Sequence, residues 1–117
     1  MSEMEKLSAL DGFMAASLVD SSSGLVIESD VRSNFDIEGA SAANTEVVQA
    51  KHRAMRDIGL EEDYIEDILI SLGTQYHLIR PLAANPDVFI YLALDRSKAN
   101  LAKARIVLKS FESTLKF

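Results

Sequence analysis

The sequence predicts an α/β domain of element order α-β-β-α-β-β-β-α, with helices on both faces of one sheet. Three observations predict it. Five short apolar runs are bounded by turn residues, as strands are. Two segments, one central and one C-terminal, instead repeat apolar residues at the 3.6-residue helical period. Finally, residues 88–94 (Val-Phe-Ile-Tyr-Leu-Ala-Leu) are apolar at odd and even positions alike. A strand of that kind is covered on both sides, so it belongs at the centre of a sheet sandwiched by helices.

Taken in order, residues 2–11 fit a short helix with Leu7 and Leu10 on one side, and Gly12 stands where a C-cap glycine is expected. Residues 13–20 and 25–28 read as a β-hairpin around Asp20-Ser-Ser-Ser-Gly24, where Asp and Ser accept local backbone bonds and Gly tolerates positive φ. Residues 29–35 are polar and read as irregular. A long helix begins at Asp36 as N-cap and stops at Gly59; its stripe of Ala40, Ala43, Val47, Ala50, Ala54 and Ile58 is expected to face the sheet. Three strands follow, at residues 64–71, 74–81 and 88–95, joined by a tight turn at Leu72-Gly73 and a turn around Asn85-Pro86. The final helix, capped by Ser97 or Asp95, aligns Leu101, Ala104, Leu108, Phe111 and Leu115 in one stripe, with Lys103, Lys109 and Glu112 outside it.

The length of 117 residues suits one domain with one core, here residues 1–117. The formal charge of −6, from 18 acidic and 12 basic side chains, opposes binding to phosphate backbones, so nucleic acid is not an expected partner. The absence of cysteine excludes a disulfide framework, thiolate catalysis and cysteine-ligated zinc. The acidic start, Met1-Ser-Glu-Met-Glu-Lys6, does not read as a signal peptide, and no apolar run approaches the length of a membrane span. A cytoplasmic protein without membrane insertion is the expectation.

The chemistry of a catalytic site is hard to find. Neither G-x-x-x-x-G-K-[ST], nor G-x-G-x-x-G, nor G-x-S-x-G occurs, so no nucleotide loop or nucleophile elbow is present. His52 lies among Lys51, Arg53 and Arg56, which suits a surface or interface histidine better than a metal ligand. His77 and Arg80 fall on opposite faces of their strand and cannot form a dyad; a structural, hydrogen-bonded His77 is expected. The run Glu61-Glu-Asp-Tyr-Ile-Glu-Asp67 packs five carboxylates into seven residues but lacks the glycine of a calcium loop. It reads as a solvated turn entering a charged edge strand, with a docking patch or a cation site as the alternatives. No cofactor and no metal are expected.

The clearer signal is for interaction. Beyond the alanine stripe of the long helix, Ile37, Val48 and Met55 continue the apolar arc, with Asn44 and Lys51 between them, to roughly 160°. Covering one sheet needs a stripe of about 100° or slightly more. The excess points to a second contact surface, unless a neighbouring loop covers it.

Three stretches resemble the roadblock/LC7 family, whose small α/β domains are related in architecture to profilin, and its bacterial members above all. They are Gly12-Phe-Met-Ala-Ala-Ser-Leu-Val-Asp20-Ser-Ser-Ser-Gly24, Ile68-Leu-Ile-Ser-Leu-Gly-Thr-Gln-Tyr-His-Leu-Ile-Arg-Pro81 and Phe89-Ile-Tyr-Leu-Ala-Leu-Asp-Arg-Ser-Lys-Ala-Asn-Leu-Ala-Lys-Ala-Arg105. The resemblance spans nearly the whole chain, and the order and spacing of the pieces make it specific. It implies a five-stranded antiparallel sheet with the long helix on one face and the terminal helices on the other. It further implies a homodimer in which the long helices meet and the third strands extend the sheet across the interface. Asn44, Val48, Lys51, His52 and Met55 of the helix, with Tyr64, Ile68 and Ile70 of the strand region, are then the expected contact residues. Family members are non-catalytic regulators or scaffolds, and several accompany small Ras-like GTPases. The implied partners are a second copy, such a GTPase and other roadblock-type proteins. A scaffold without effect on hydrolysis, or a small-ligand sensor, are the other readings. The family offers no invariant arginine finger, so no arginine here is assigned to catalysis.

Overall fold

The computed structural model describes residues 4–32 and 34–115. Its elements are α1 (Glu5–Ser8), β1 (Phe13–Asp20), β2 (Leu25–Val31), α2 (Ile37–Asp57), β3 (Ile68–Ser71), β4 (Gln75–Pro81), β5 (Val88–Asp95) and α3 (Leu101–Ser113). The strands form one five-stranded sheet of order β2-β1-β5-β4-β3, antiparallel at every pairing. β5 is therefore central, as its two-sided apolarity requires, and seven of its eight residues are buried. Its even-numbered side chains Val88, Ile90, Leu92 and Leu94 pack towards α1 and α3, while Phe89, Tyr91 and Ala93 pack on the α2 side.

The turns form where the local chemistry demands. Between β1 and β2, Gly24 has φ of +77° and its N–H donates to Asp20 O at 2.8 Å, while Ser22 N–H donates to Asp20 Oδ1 at 2.9 Å. Gly12, also at positive φ, is not a cap of α1 but lies against the end of β5. A β-carbon there would come 2.8 Å from Asp95 O. Gly59 ends α2 one residue beyond the Ile58 C-cap, as expected.

Several boundaries differ from the sequence reading. Residues 29–31 are not irregular: they continue β2, because Ser29, Asp30 and Val31 find partners in Ser17, Ala16 and Ala15 of β1. β3 begins only at Ile68, and the segment before it is extended but unpaired. The β3–β4 connection is Leu72-Gly73-Thr74, closed by Leu72 N–H donating to Gln75 O at 2.8 Å. α1 is one turn of four residues; positions 2 and 3 of the longer expected helix lie outside the described residues. α3 starts at Leu101 rather than at Ser97: Asp95 is spent on a turn, accepting from Ser97 N and Oγ, and Asn100 is the N-cap, accepting from Lys103 N–H at 3.1 Å.

The largest correction concerns which face of α2 meets the sheet. Ser41, Asn44, Thr45, Val48 and Met55 are buried against it, whereas Ala43, Ala50, Ala54 and Ile58 are exposed. The helix is turned by roughly a third of a revolution from the expected orientation. Polar side chains can face inward here because each satisfies itself locally. Asn44 Nδ2 donates to Ala40 O and Thr45 Oγ1 to Ser41 O, both at 2.8 Å, and Ser41 shares a 2.8 Å hydrogen bond with Ser17 of β1. The over-wide apolar arc is real, but its two halves exchange roles.

On the opposite face, α3 buries Ala104, Leu108 and Phe111 as its stripe predicts, together with Met4 and Leu7 around α1. Glu112 is not simply outside the stripe. It reaches down to Arg80 of β4, with Arg80 Nε at 2.5 Å, and accepts Ala83 N–H at 2.8 Å, which ties α3 to the β4–β5 turn. Arg80 thus points to the α3 side, while His77 contacts Tyr91 on the α2 side.

Candidate interaction face

α2 lies over β1 and β2. Towards β4 and β3 the same face of the sheet is only partly covered, and His77 of β4 is half-buried there. There Ile68 and Ile70 of β3 remain half-buried, packed at their bases against a cluster that includes Ile79, Tyr91 and Phe89. Met14, Phe35, Ala40 and Val47 are also partly buried and packed against this cluster. β3 is also a sheet edge, so one side of its backbone has no strand partner in the subunit.

Two features flank this region. One is the outward stripe of α2: Ala43, Ala50 and Ala54 are exposed, Val47 is half-buried, and Ile58 at its end is 66% exposed. Small side chains in a row let another helix approach closely. The second is a groove of about 490 Å³ between α2 and the segment entering β3, lined by Val47, Lys51, Met55, Leu60, Tyr64, Ile65 and Ile68, with Asp63, Glu66 and Asp67 at its margin. Tyr64 is 73% exposed and Leu60 44% exposed. A stripe, a groove and an open strand edge form one continuous surface with more apolar area than scattered exposed residues explain.

The expected contact residues divide accordingly. Lys51, Tyr64 and Ile68 line the groove, and Ile70 lies beside it on the open edge strand. Val48 is fully buried in the subunit's own core, and Met55 and Asn44 are 6% and 8% exposed, so these three offer almost no surface to a partner. Their assignment rested on the wrong face of α2. His52 does not line the Lys51 groove: it faces the β1–β2 and β4–β5 turns and also borders a second opening shared with Asp63, Tyr64 and Glu66. Ala43, Ala50 and Ala54, expected against the sheet, are exposed instead. The acidic run is also divided. Asp67 faces Arg105 of α3 at 3.0 Å, while Glu61, Glu62, Asp63 and Glu66 are exposed. Among the described residues no three such side chains converge to hold a metal ion, and no helix is long and apolar enough to cross a membrane.

His77 and Tyr91 are titratable groups on the sheet floor of this face. His77 Nε2 lies 2.7 Å from Gln75 Oε1, and its ring meets Tyr91 edge-on at 5.3 Å between centroids. Burial holds the His77 pKa below its ordinary 6.5 and pushes the Tyr91 hydroxyl up to about 12. A histidine with a depressed folded pKa stabilises nothing above its unfolded value and costs stability as pH falls below it, since the unfolded chain then binds more protons. The melting temperature is expected to drop between about pH 7 and about pH 5, with His77→Gln showing a smaller drop. Parallel melting curves of the two proteins would refute a role for His77.

The fold and this surface define a class: an α/β/α domain with an open helix-and-edge-strand face. The chain has the roadblock/LC7 fold, in the form seen in bacterial proteins. A roadblock/LC7 domain from Streptomyces avermitilis superposes with a TM-score of 0.79 at 10% identity, covering 94% of this chain and 88% of that one. The gliding protein MglB from Thermus thermophilus gives 0.78 at 14% identity, with 97% and 84% covered. An MglB solved in a tetrameric arrangement gives 0.79 at 15% identity, again with 97% and 84% covered. No protein-family model matches the sequence. No curated protein matches it either. The resemblance read from the residues thus holds at the level of the fold, with the sheet and helix layers it implied.

Proposed function

We propose that this chain is a non-catalytic, self-associating regulator that binds a small Ras-like GTPase. Two copies meet through the α2 stripe and the β3 edge, and the pair offers a surface to the GTPase. The observation that carries this reading is the unpartnered apolar stripe of α2, continuous with an open strand edge. A helix whose sheet-facing side is already satisfied has no internal use for a second apolar side. The tetrameric MglB among the similar structures supports self-association as a habit of the fold. The GTPase partner is supported by the family resemblance alone.

The regulator acts by holding and reshaping the GTPase switch segments rather than by inserting a catalytic side chain. Among the described residues that line the groove, Lys51 is the only basic one. Single-turnover GTP hydrolysis by a GTPase encoded beside this protein tests the reading. The expected result is binding together with a changed hydrolysis rate. Binding at an unchanged rate would favour a scaffold instead, and absence of binding would remove the GTPase from the proposal.

A further inference from the structure

The other flank of α2 is built for a different purpose. Gln49, His52, Arg53 and Arg56 recur at i, i+3, i+4 and i+7 and therefore share one side of the helix. That side overhangs two turns at one end of the sheet, Ser21-Ser22 after β1 and Pro86-Asp87 before β5, and together they enclose an open cleft of about 390 Å³. The cleft is braced. Gln49 Nε2 donates to Ser21 O at 2.8 Å, and Ser21 in turn donates to Asp87 O from both N (2.8 Å) and Oγ (2.9 Å). Helix and turns are thus tied together independently of the arginines.

Neither the Arg53 nor the Arg56 side chain has an ion pair or hydrogen bond among the described residues. In a chain of net charge −6 that is an unusual use of two guanidinium groups. A basic residue in the last turn of a helix offsets the macrodipole, which accounts for Arg56. It does not account for Arg53 facing the same cleft beside His52. The lining itself carries Arg53, Arg56 and His52 against one acidic residue, Asp87. Asp87 borders the cleft with its carboxylate, and the Asp20 carboxylate is occupied by Ser22, from N at 2.9 Å and Oγ at 2.6 Å.

We infer that this cleft binds a phosphoryl group, held in the forks of Arg53 and Arg56 with His52 beside them. Guanidinium groups suit phosphate oxygens because they donate pairwise in a fixed plane. Phe, Tyr and Trp are all missing from the lining; His52 is its one aromatic ring, so the phosphate rather than the base is the group this site is equipped to read. It lies on the flank of α2 away from the alanine stripe, and so does not depend on the self-association proposed above.

The test is a nuclear magnetic resonance titration of the intact protein with pyrophosphate, ADP and GDP at fixed ionic strength. Saturable shifts are expected at the backbone amides of Ser21, Ser22, Arg53 and Arg56, with similar midpoints for all three ligands. Arg53→Gln with Arg56→Gln is expected to weaken binding at least about tenfold, since hydrogen bonds to charged groups are the strong ones. Lys103→Gln with Lys109→Gln, on α3, is expected to leave it unchanged. Both arginines are exposed and their side chains make no hydrogen bond or ion pair among the described residues, so the variant is expected to keep its fold, which the rest of the spectrum reports. Non-saturating shifts, or equal weakening by the lysine pair, would reduce the site to diffuse charge and overturn the inference. Binding of one nucleotide but not pyrophosphate would overturn the base-blind assignment.

Discussion

Replacing Ala50 with Glu is expected to convert the self-associated protein to a monomer in sedimentation while leaving the subunit folded. Ala50 is exposed in the middle of the α2 stripe, between Val47 and Ala54. In the isolated subunit the new carboxylate would stay in water, and the change from Ala to Glu in a helix interior costs only a few tenths of a kcal/mol. At a helix–helix contact the same carboxylate would be desolvated without a partner. That costs about 2 kcal/mol or more, a weakening of roughly thirtyfold or more in the dimer constant. Met55→Glu provides the contrast. Met55 is only 6% exposed and packs under α2, so its replacement puts a charge into the subunit core and lowers the melting temperature itself. A loss of self-association in Met55→Glu would therefore say nothing about the interface. An Ala50→Glu protein that sediments as before would take the α2 stripe out of it.

This pair of substitutions marks the place where the sequence was read least well. Strand positions were legible because apolar runs and turn residues coincide: β5, the Asp20–Gly24 turn and the Gly59 stop all stand where the residues put them. The length of α2 was legible too, from Asp36, which accepts Gly39 N–H at 3.0 Å, to Gly59. Its rotation was not. Hydrophobic patterning assumes that polar residues point outwards, and Ser41, Asn44 and Thr45 break the assumption by bonding to the helix backbone and to Ser17. Alanines then compound the error, since they are equally at home on a buried face or an exposed one. The ends of β2 and α3 failed for a related reason. Ser29 and Asp30 look irregular until a neighbouring strand supplies their ladder bonds, and Asp95 and Asn100 are equally good caps until the turn at Ser97 consumes the first.

The candidate face was only partly legible, and the division follows physical lines. Ile68 and Ile70 lie on the edge strand and Tyr64 lines the groove beside it, positions that sequence order and a resemblance suffice to locate. Val48 and Met55 were misplaced by the same rotation that hid the alanine stripe. The cleft at Arg53 and Arg56 had a visible signal, a run of cations in an acidic chain. What the sequence could not show was that Ser21 and Asp87, distant in sequence, close its other side.

Replacing Phe111 with Ala is expected to be the most damaging single change to stability, at about 3–5 kcal/mol. Phe111 is fully buried and belongs to the cluster that joins α3 to Leu78 of β4, Leu92 of β5 and Leu7 of α1. Its loss acts in two places. On the sheet it leaves a cavity that the β5 side chains, in a rigid central strand, cannot close, and incomplete collapse is what raises the cost of large-to-small changes. At the N-terminus it loosens α1, a helix of four residues that is far too short to form alone and exists only because Met4 and Leu7 are pinned to the core. Hydrogen exchange separates the two effects. Amides of β5 should keep protection up to the lowered global stability, whereas those of Leu7 and Ser8, which donate to Met4 O, should lose theirs disproportionately. The opposite face offers a control: α2 meets the sheet through Ser41, Thr45 and Val48, not through Phe111. Its protection should fall only as far as global unfolding requires. A uniform loss across α1, α2 and α3 would show that the two helical layers melt together and that α1 draws no special support from Phe111.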